Sequence, residues 1–134
     1  MKLPTDLELL QFIYKKYYDI YSSFSREDKT RETKIYVPIS IKEIADNYNI
    51  DDDIIFGRLY YYLDGKYRYR NEDNSLVSFF TLNIQKDRHC VNFVLLSSVL
   101  ANLQEDHRRF WTTTIIAFYT TVLAALAIIV SLVL

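Results

Sequence analysis

Glycine and proline are scarce in this chain, two of each among 134 residues, and it carries a single cysteine and two histidines. So little glycine excludes a Gly-rich phosphate loop, collagenous sequence and a long flexible linker. One cysteine, Cys90, excludes an intramolecular disulfide and fits a reducing compartment. His89 and Cys90 are neighbours in a strand-like stretch, where adjacent side chains point to opposite faces, so they cannot share a metal. No nucleophile motif, P-loop or dinucleotide fingerprint is present, so no enzyme, cofactor or metal site is expected. An excess of charge of either sign is missing too. Sixteen Lys and Arg stand against 17 Asp and Glu, for a formal net charge of −1, which gives no global field to gather nucleic acid. After Arg109 there is no charge at all.

That last absence defines the most informative stretch, Trp111 to Leu134, which also lacks Pro and Gly. From Thr113 to Leu134 a helix would run about 33 Å at about 1.5 Å per residue, enough for a hydrocarbon core of about 30 Å. Twelve of those residues are Ile, Leu, Val or Phe. Together they favour insertion by about 4 to 7 kcal/mol before the smaller costs of Thr and Ser. A single transmembrane helix over 111–134 is the expectation. Its place at the extreme C-terminus is unlike a cleavable signal peptide and implies insertion after synthesis, in tail-anchored fashion. Arg108, Arg109, Phe110 and Trp111 read as a membrane interface, cations at the headgroups followed by aromatic rings, with His107 one turn above. By the positive-inside rule they place residues 1–109 in the cytoplasm. Thr113, Ala117, Thr121 and Ala125 recur every fourth residue, a ridge along which two such helices would pack closely and self-associate in lipid.

The remaining length allows one small domain, residues 1–96, and a juxtamembrane helix over 97–110. Twelve tyrosines stand out, eleven of them before residue 70; each offers apolar area with a polar tip for a core or a contact surface. Thr5-Asp-Leu-Glu8 is a capping box that opens a first helix with Leu7, Leu10, Ile13, Tyr14, Tyr17, Ile20, Tyr21 and Phe24 on one face. Ser25 to Lys34 is charge-mixed and reads as a solvated loop. Ile35 to Val37 is a short strand stopped by Pro38. Ser40-Ile-Lys-Glu43 is a second capping box, with Ile41, Ile44, Ala45 and Tyr48 on the face of the helix it starts. After a turn at Asn49-Ile50, Asp51, Asp52 and Asp53 complement the dipole of a third helix. Ile55, Leu59, Tyr62 and Leu63 form its buried face, and Gly65 ends it. Asn71 to Asn74 connects to a β-hairpin made of Ser75 to Ile84 and His89 to Leu96, joined by Gln85 to Arg88. Leu96, Leu100, Leu103, His107 and Phe110 then form a short heptad-like seam running into the span.

The order helix, strand, helix, helix, hairpin resembles a winged helix-turn-helix domain over residues 5–96. The likeness centres on Val37 to Ile50, with Ala45 at the small position where two helices cross, followed by Asp51 to Tyr69. The expected class is therefore α+β, a winged-helix-like domain of order α-β-α-α-β-β followed by a long helix that becomes the span. In winged-helix DNA binders the third helix enters the major groove and the wing contacts the backbone. The resemblance would then make Arg58, Lys66, Arg68 and Arg70 the DNA-facing cations and place Lys86 and Arg88 on the wing. Three aspartates at the start of that helix repel phosphates, which favours the other use of such domains, contact with protein. Tyr60, Tyr61 and Tyr62 wrap three directions of the helix, so at least one points away from the core. An exposed Tyr beside Arg58 and Arg68 is a composition suited to protein recognition, the other reading being that Tyr60 and Tyr61 lie against the Tyr-rich first helix. The leading expectation is a single-pass, tail-anchored, non-enzymatic adaptor whose domain binds a protein partner or a second copy as a homodimer at the lipid bilayer. A membrane-tethered DNA-binding regulator is the alternative. A small membrane-active effector oligomerising through its span is a third.

Overall fold

In the computed structural model, which describes residues 2–27 and 31–134, the chain divides into two compact units. One ends at Leu100 and the other runs from Ala101 to Leu134. The fold is mixed α+β, with two small sheets and a long apolar C-terminal helix.

The first helix, α1 (Asp6–Ser22), starts at the expected capping box: Glu8 N–H donates to Thr5 Oγ1 at 3.1 Å and Thr5 N–H to Glu8 Oε1 at 3.3 Å. Leu9, Leu10, Ile13 and Tyr17 are its buried residues. Ile20, expected on that face, is exposed, and the helix ends two residues before Phe24. The following run is not simply a solvated loop. Arg31 is buried, and its guanidinium donates to the Ile20, Tyr21, Thr33 and Lys34 carbonyls while lying 4.9 Å over the Phe24 ring. Two of those carbonyls belong to the last turn of α1, where Ile20 O also accepts from the Ser23 hydroxyl and Tyr21 O from Phe24 N–H. Residues 28–30 of the same run lie outside the described residues.

Strand β1 (Tyr36–Pro38) includes Pro38, which an edge strand tolerates. Helix α2 (Ile41–Tyr48) forms only half of the expected capping box: Ser40 Oγ accepts from Glu43 N–H at 3.2 Å, while the Glu43 carboxylate pairs with Lys16 at 3.4 Å, and the helix ends on Asn49 in the left-handed conformation (φ 54°). The Tyr17 hydroxyl accepts from Ser40 N–H at 2.8 Å, tying α1 to this start. Helix α3 covers 52–67 in three consecutive segments: α-helical Asp52–Gly57, a π-helical turn Arg58–Leu63, and α-helical Asp64–Tyr67. The Asp64 N–H reaching Leu59 O marks the wider i to i−5 ring. Gly65 therefore lies inside the helix and does not end it; Arg68, in extended backbone, does. The π turn also shifts the helical phase, so Ile55, Leu59, Leu63 and Asp64 are buried while Tyr62, expected among them, is half exposed.

The main sheet has order β1-β5-β4, with β4 (Phe80–Ile84) and β5 (Asp87–Asn92) antiparallel around Gln85 and Lys86, where Gln85 has φ 52°. The expected hairpin is thus shorter and split. Leu76–Val77 (β3) pairs instead with Tyr69–Arg70 (β2), Tyr69 opposite Val77, in a separate two-stranded sheet. Asp64 explains the break. Its Oδ1 accepts from Phe79 N–H at 2.8 Å and Phe80 N–H at 3.1 Å, holding the chain between β3 and β4 against α3. The final strand ends at Asn92 rather than Leu96, because the Asn92 side chain accepts from Leu95 N–H at 3.0 Å as a helix cap. Helix α4 (Phe93–Val133) follows, four residues earlier than the expected juxtamembrane helix. Its Phe93, Leu96, Val99 and Leu100 join Leu9, Ile13, Val37, Ile44, Leu59 and Phe79 among the buried residues of the first unit.

In the second unit every residue from 106 to 134 is exposed. This helix is long and apolar enough to span a membrane. Four of its hydroxyls are internally satisfied: Thr114 donates to Phe110 O, Thr120 to Ile116 O, Thr121 to Ala117 O and Ser131 to Ile128 O, at 2.8 to 2.9 Å. In hydrocarbon that removes most of the cost of carrying them.

Candidate protein-contact face

Six of the residues singled out in the first unit lie on or just after α3, while Lys86 and Arg88 lie at the β4–β5 hairpin, and the structure separates those spent internally from those left outward. Arg58 is spent. Its Nη1 donates to Pro4 O at 2.9 Å and to Asp6 Oδ1 at 3.1 Å, fastening the chain before α1 to α3. Lys66 lies over the Tyr62 and Tyr67 rings at 5.7 and 5.3 Å, and Tyr67 first, then Tyr62, raise its ammonium above the ordinary lysine value. Arg70 donates to Asn74 O at 3.0 Å, within the turn that joins β2 and β3. Arg68 keeps a half-exposed guanidinium at 3.9 Å from Asp64 Oδ2. Lys86, in the β4–β5 turn, pairs with Glu32 at 3.7 Å, and Arg88 stands exposed on β5.

Tyr61 is the most exposed large hydrophobic side chain among the described residues of the first unit, at 75 %, with Tyr62 at 49 % and Ile54 at 43 % on the same helix. Its neighbours explain how so exposed a ring is held. Tyr60 stacks on Phe56 at 5.3 Å, and Phe56 and Phe80 both contact the His89 ring. Tyr61 stands edge-on to Tyr60 at 5.0 Å and to Phe56 at 6.3 Å. Aromatic edges of this kind hold a ring by about 0.5–1.5 kcal/mol per pair beyond area burial. Beside it Tyr60, Tyr61, Asp64, Gly65 and Arg68 line a surface notch of about 260 Å³. The structure thus brings Tyr60, Tyr61 and Arg68 together and leaves Arg58 out of the group.

No known protein family, no curated protein and no solved structure matches this chain. Its reading rests on its own geometry.

Sequence reasoning missed Asp64, Gly65 and Ile54 as members of this face. Only the 3.6-residue period could have signalled them; the π turn breaks it before Asp64 and Gly65, whereas Ile54 precedes that turn and its exposure was within reach of the periodicity. At the other end of α3 the acidic start is as expected: Asp51 caps the helix through Asp53 N–H at 2.8 Å, and Asp52 and Asp53 are exposed, paired with no cation among the described residues. In the second unit, Glu105 accepts from Arg108 at 2.8 Å and Arg109 at 3.1 Å. The Arg108 hydrogen bonds hold its carboxyl below the ordinary glutamate range. Phe110 and Trp111 are exposed below that cluster, with Trp111 edge-on to His107. Thr113, Ala117, Thr121 and Ala125 lie exposed along the same helix.

Proposed function

We propose that this chain is a single-span, membrane-anchored, non-enzymatic protein-contact module. Its head is winged-helix-like in its order of elements, is held in the cytoplasm, and meets protein through the outward face of α3. The observation that carries this reading is Tyr61, a large ring left 75 % exposed beside a notch, braced by packed aromatics rather than free to fold down. Rigid tyrosines flanked by arginine are the side chains on which protein interfaces concentrate their energy. The DNA-binding alternative loses support at the same place. The helix would present Asp51, Asp52 and Asp53 to the duplex, while Arg58 is already committed to Pro4 and Asp6. Arg108, Arg109, Phe110 and Trp111 support the cytoplasmic placement through the positive-inside preference and the interfacial preference of Trp.

The test is site-specific photocrosslinking with a benzophenone amino acid in place of Tyr61, in the full chain in its native membrane. A protein adduct of any discrete mass supports the reading. Adducts to lipid alone, or to nucleic acid, overturn it.

A further inference from the structure

We propose that the outward face of α3 pairs with the same face of a second copy of this chain, antiparallel about a two-fold axis near Tyr61. This rests on the protein-contact reading above and names its partner. The first argument is charge. Acids stand at the start of α3 and bases at and just past its end: exposed Asp52 and Asp53 have no cationic partner among the described residues, and Lys66, Arg68 just after the helix and Arg70 in β2 have no carboxylate closer than Asp64 at 3.9 Å. An isologous contact requires a patch complementary to itself. Turning a copy by 180° about Tyr61 does that, laying each acidic start against the other copy's Lys66, Arg68 and Arg70. A parallel arrangement would set like charges together at both ends. The second argument is what lies between those ends. Ile54, Tyr61 and Tyr62 supply exposed apolar area. On either side of Tyr61, four residues away, stand Gly57 and Gly65, the only two glycines of the chain.

Neither glycine is needed by the head itself. Neither has a positive φ. A Cβ on Gly65 would meet nothing within 4 Å, and one on Gly57 only the Tyr61 ring, at an ordinary 3.7 Å. Helical glycine costs about 0.5–1 kcal/mol relative to alanine, so both positions are destabilising without internal return. Between two copies they leave bare backbone where a partner's ring can come close. The notch over Gly65, about 260 Å³ and lined by Tyr60, Asp64 and Arg68, would receive Tyr61 of the opposing copy.

The experiment uses the full chain, labelled at its N-terminus with donor or acceptor dyes and reconstituted in zwitterionic vesicles at decreasing protein density. Two double variants reverse one end each: Asp52→Lys with Asp53→Lys, and Lys66→Glu with Arg70→Glu, which spares the Arg68 contact to Asp64. Energy transfer between wild-type copies should weaken by about tenfold or more in apparent association for either variant alone, since like charges then face each other. An equimolar mixture of the two variants should recover it, because an all-basic face then meets one that is acidic but for Arg68. Recovery cannot come from unfolded heads. Unchanged transfer in both single variants, no recovery in the mixture, or no transfer between wild-type copies would each overturn the pairing. In those cases a Tyr61 adduct with a different protein would leave the contact function standing.

Discussion

At the scale of single residues, glycine, arginine and cysteine each show how context decides what a side chain is worth. Gly65 faces open space inside a helix. Gly65→Ala should therefore raise the stability of the head by up to about 1 kcal/mol, read as a higher denaturant midpoint, while Gly65→Leu should block the approach of a second copy. Arg31 is the opposite case. It sits in a run that composition marks as solvated, yet burial lowers its pKa and four carbonyls accept its protons. Arg31→Ala should cost about 2–3 kcal/mol, because charge-assisted bonds to four carbonyls are lost, two of them at the end of α1. Cys90, fully buried, has its thiol pushed up from the ordinary 9.0 to about 11, chiefly by desolvation. Its folded pKa lies above the unfolded one, so its contribution is complete below about pH 9 and is lost as pH rises towards 11. Tyr17 and Tyr48 are raised for the same reason and act in the same direction further into alkali. Alkaline unfolding should therefore be flatter between pH 9 and 11 in Cys90→Ala than in the wild type, whatever the cost of that substitution at neutral pH. Equal slopes for the two proteins would remove Cys90 from the account.

Among the elements, Asp64 is the joint between helix and sheet, through two backbone amides fifteen and sixteen residues away. Asp64→Ala leaves both N–H groups buried without an acceptor and should destabilise the head by about 3 kcal/mol; Asp64→Asn, which keeps one oxygen, should cost clearly less. Amide exchange at Phe79 and Phe80 should speed up before that of the rest of β4, and uniform loss of protection would assign Asp64 a different role. No local signal could have disclosed this contact, since an Asp near the end of a helix reads as surface. Legibility elsewhere followed the range of the forces. Thr5, Ser40 and Asp51 act within three residues, and their caps were readable as sequence. The phase of α3 was readable up to Leu59 and lost across the π turn, which no residue type announces. Strands β2 and β3 have two residues each, too few to show alternation. The boundary between β5 and α4 lies inside one apolar run, Val91 to Leu96, where only the Asn92 side chain marks the change. At the contact face the cations were visible, but that Arg58 is consumed by Pro4 and Asp6, 54 and 52 residues away, is a tertiary fact.

For the whole molecule the deciding quantity is the solvent that the 111–134 segment prefers. Its side chains are exposed along the entire length, with Phe118 at 72 % and Leu132 at 81 %. In water each would remain an uncompensated apolar surface, far beyond what soluble proteins leave open. In lipid the same surface is the driving force, and the back-bonded Thr114, Thr120, Thr121 and Ser131 hydroxyls add little against it. The apolar contribution of about 4 to 7 kcal/mol, before the costs of Thr and Ser, is large but finite, so one central charge can take away much of it. Leu123 is near the middle of 113–134, and arginine there costs about 2.5–3.5 kcal/mol by insertion scales. Leu123 lies in the second unit and is itself exposed. Leu123→Arg should thus shift much of the chain from the alkali-resistant membrane fraction to the extractable one, while Leu123→Ala should not. A second arginine at Ile116 should complete the loss. Wild-type chain that alkaline carbonate strips from vesicles as readily as the arginine variants would contradict a lipid-embedded span, and with it the membrane setting of the α3 contact.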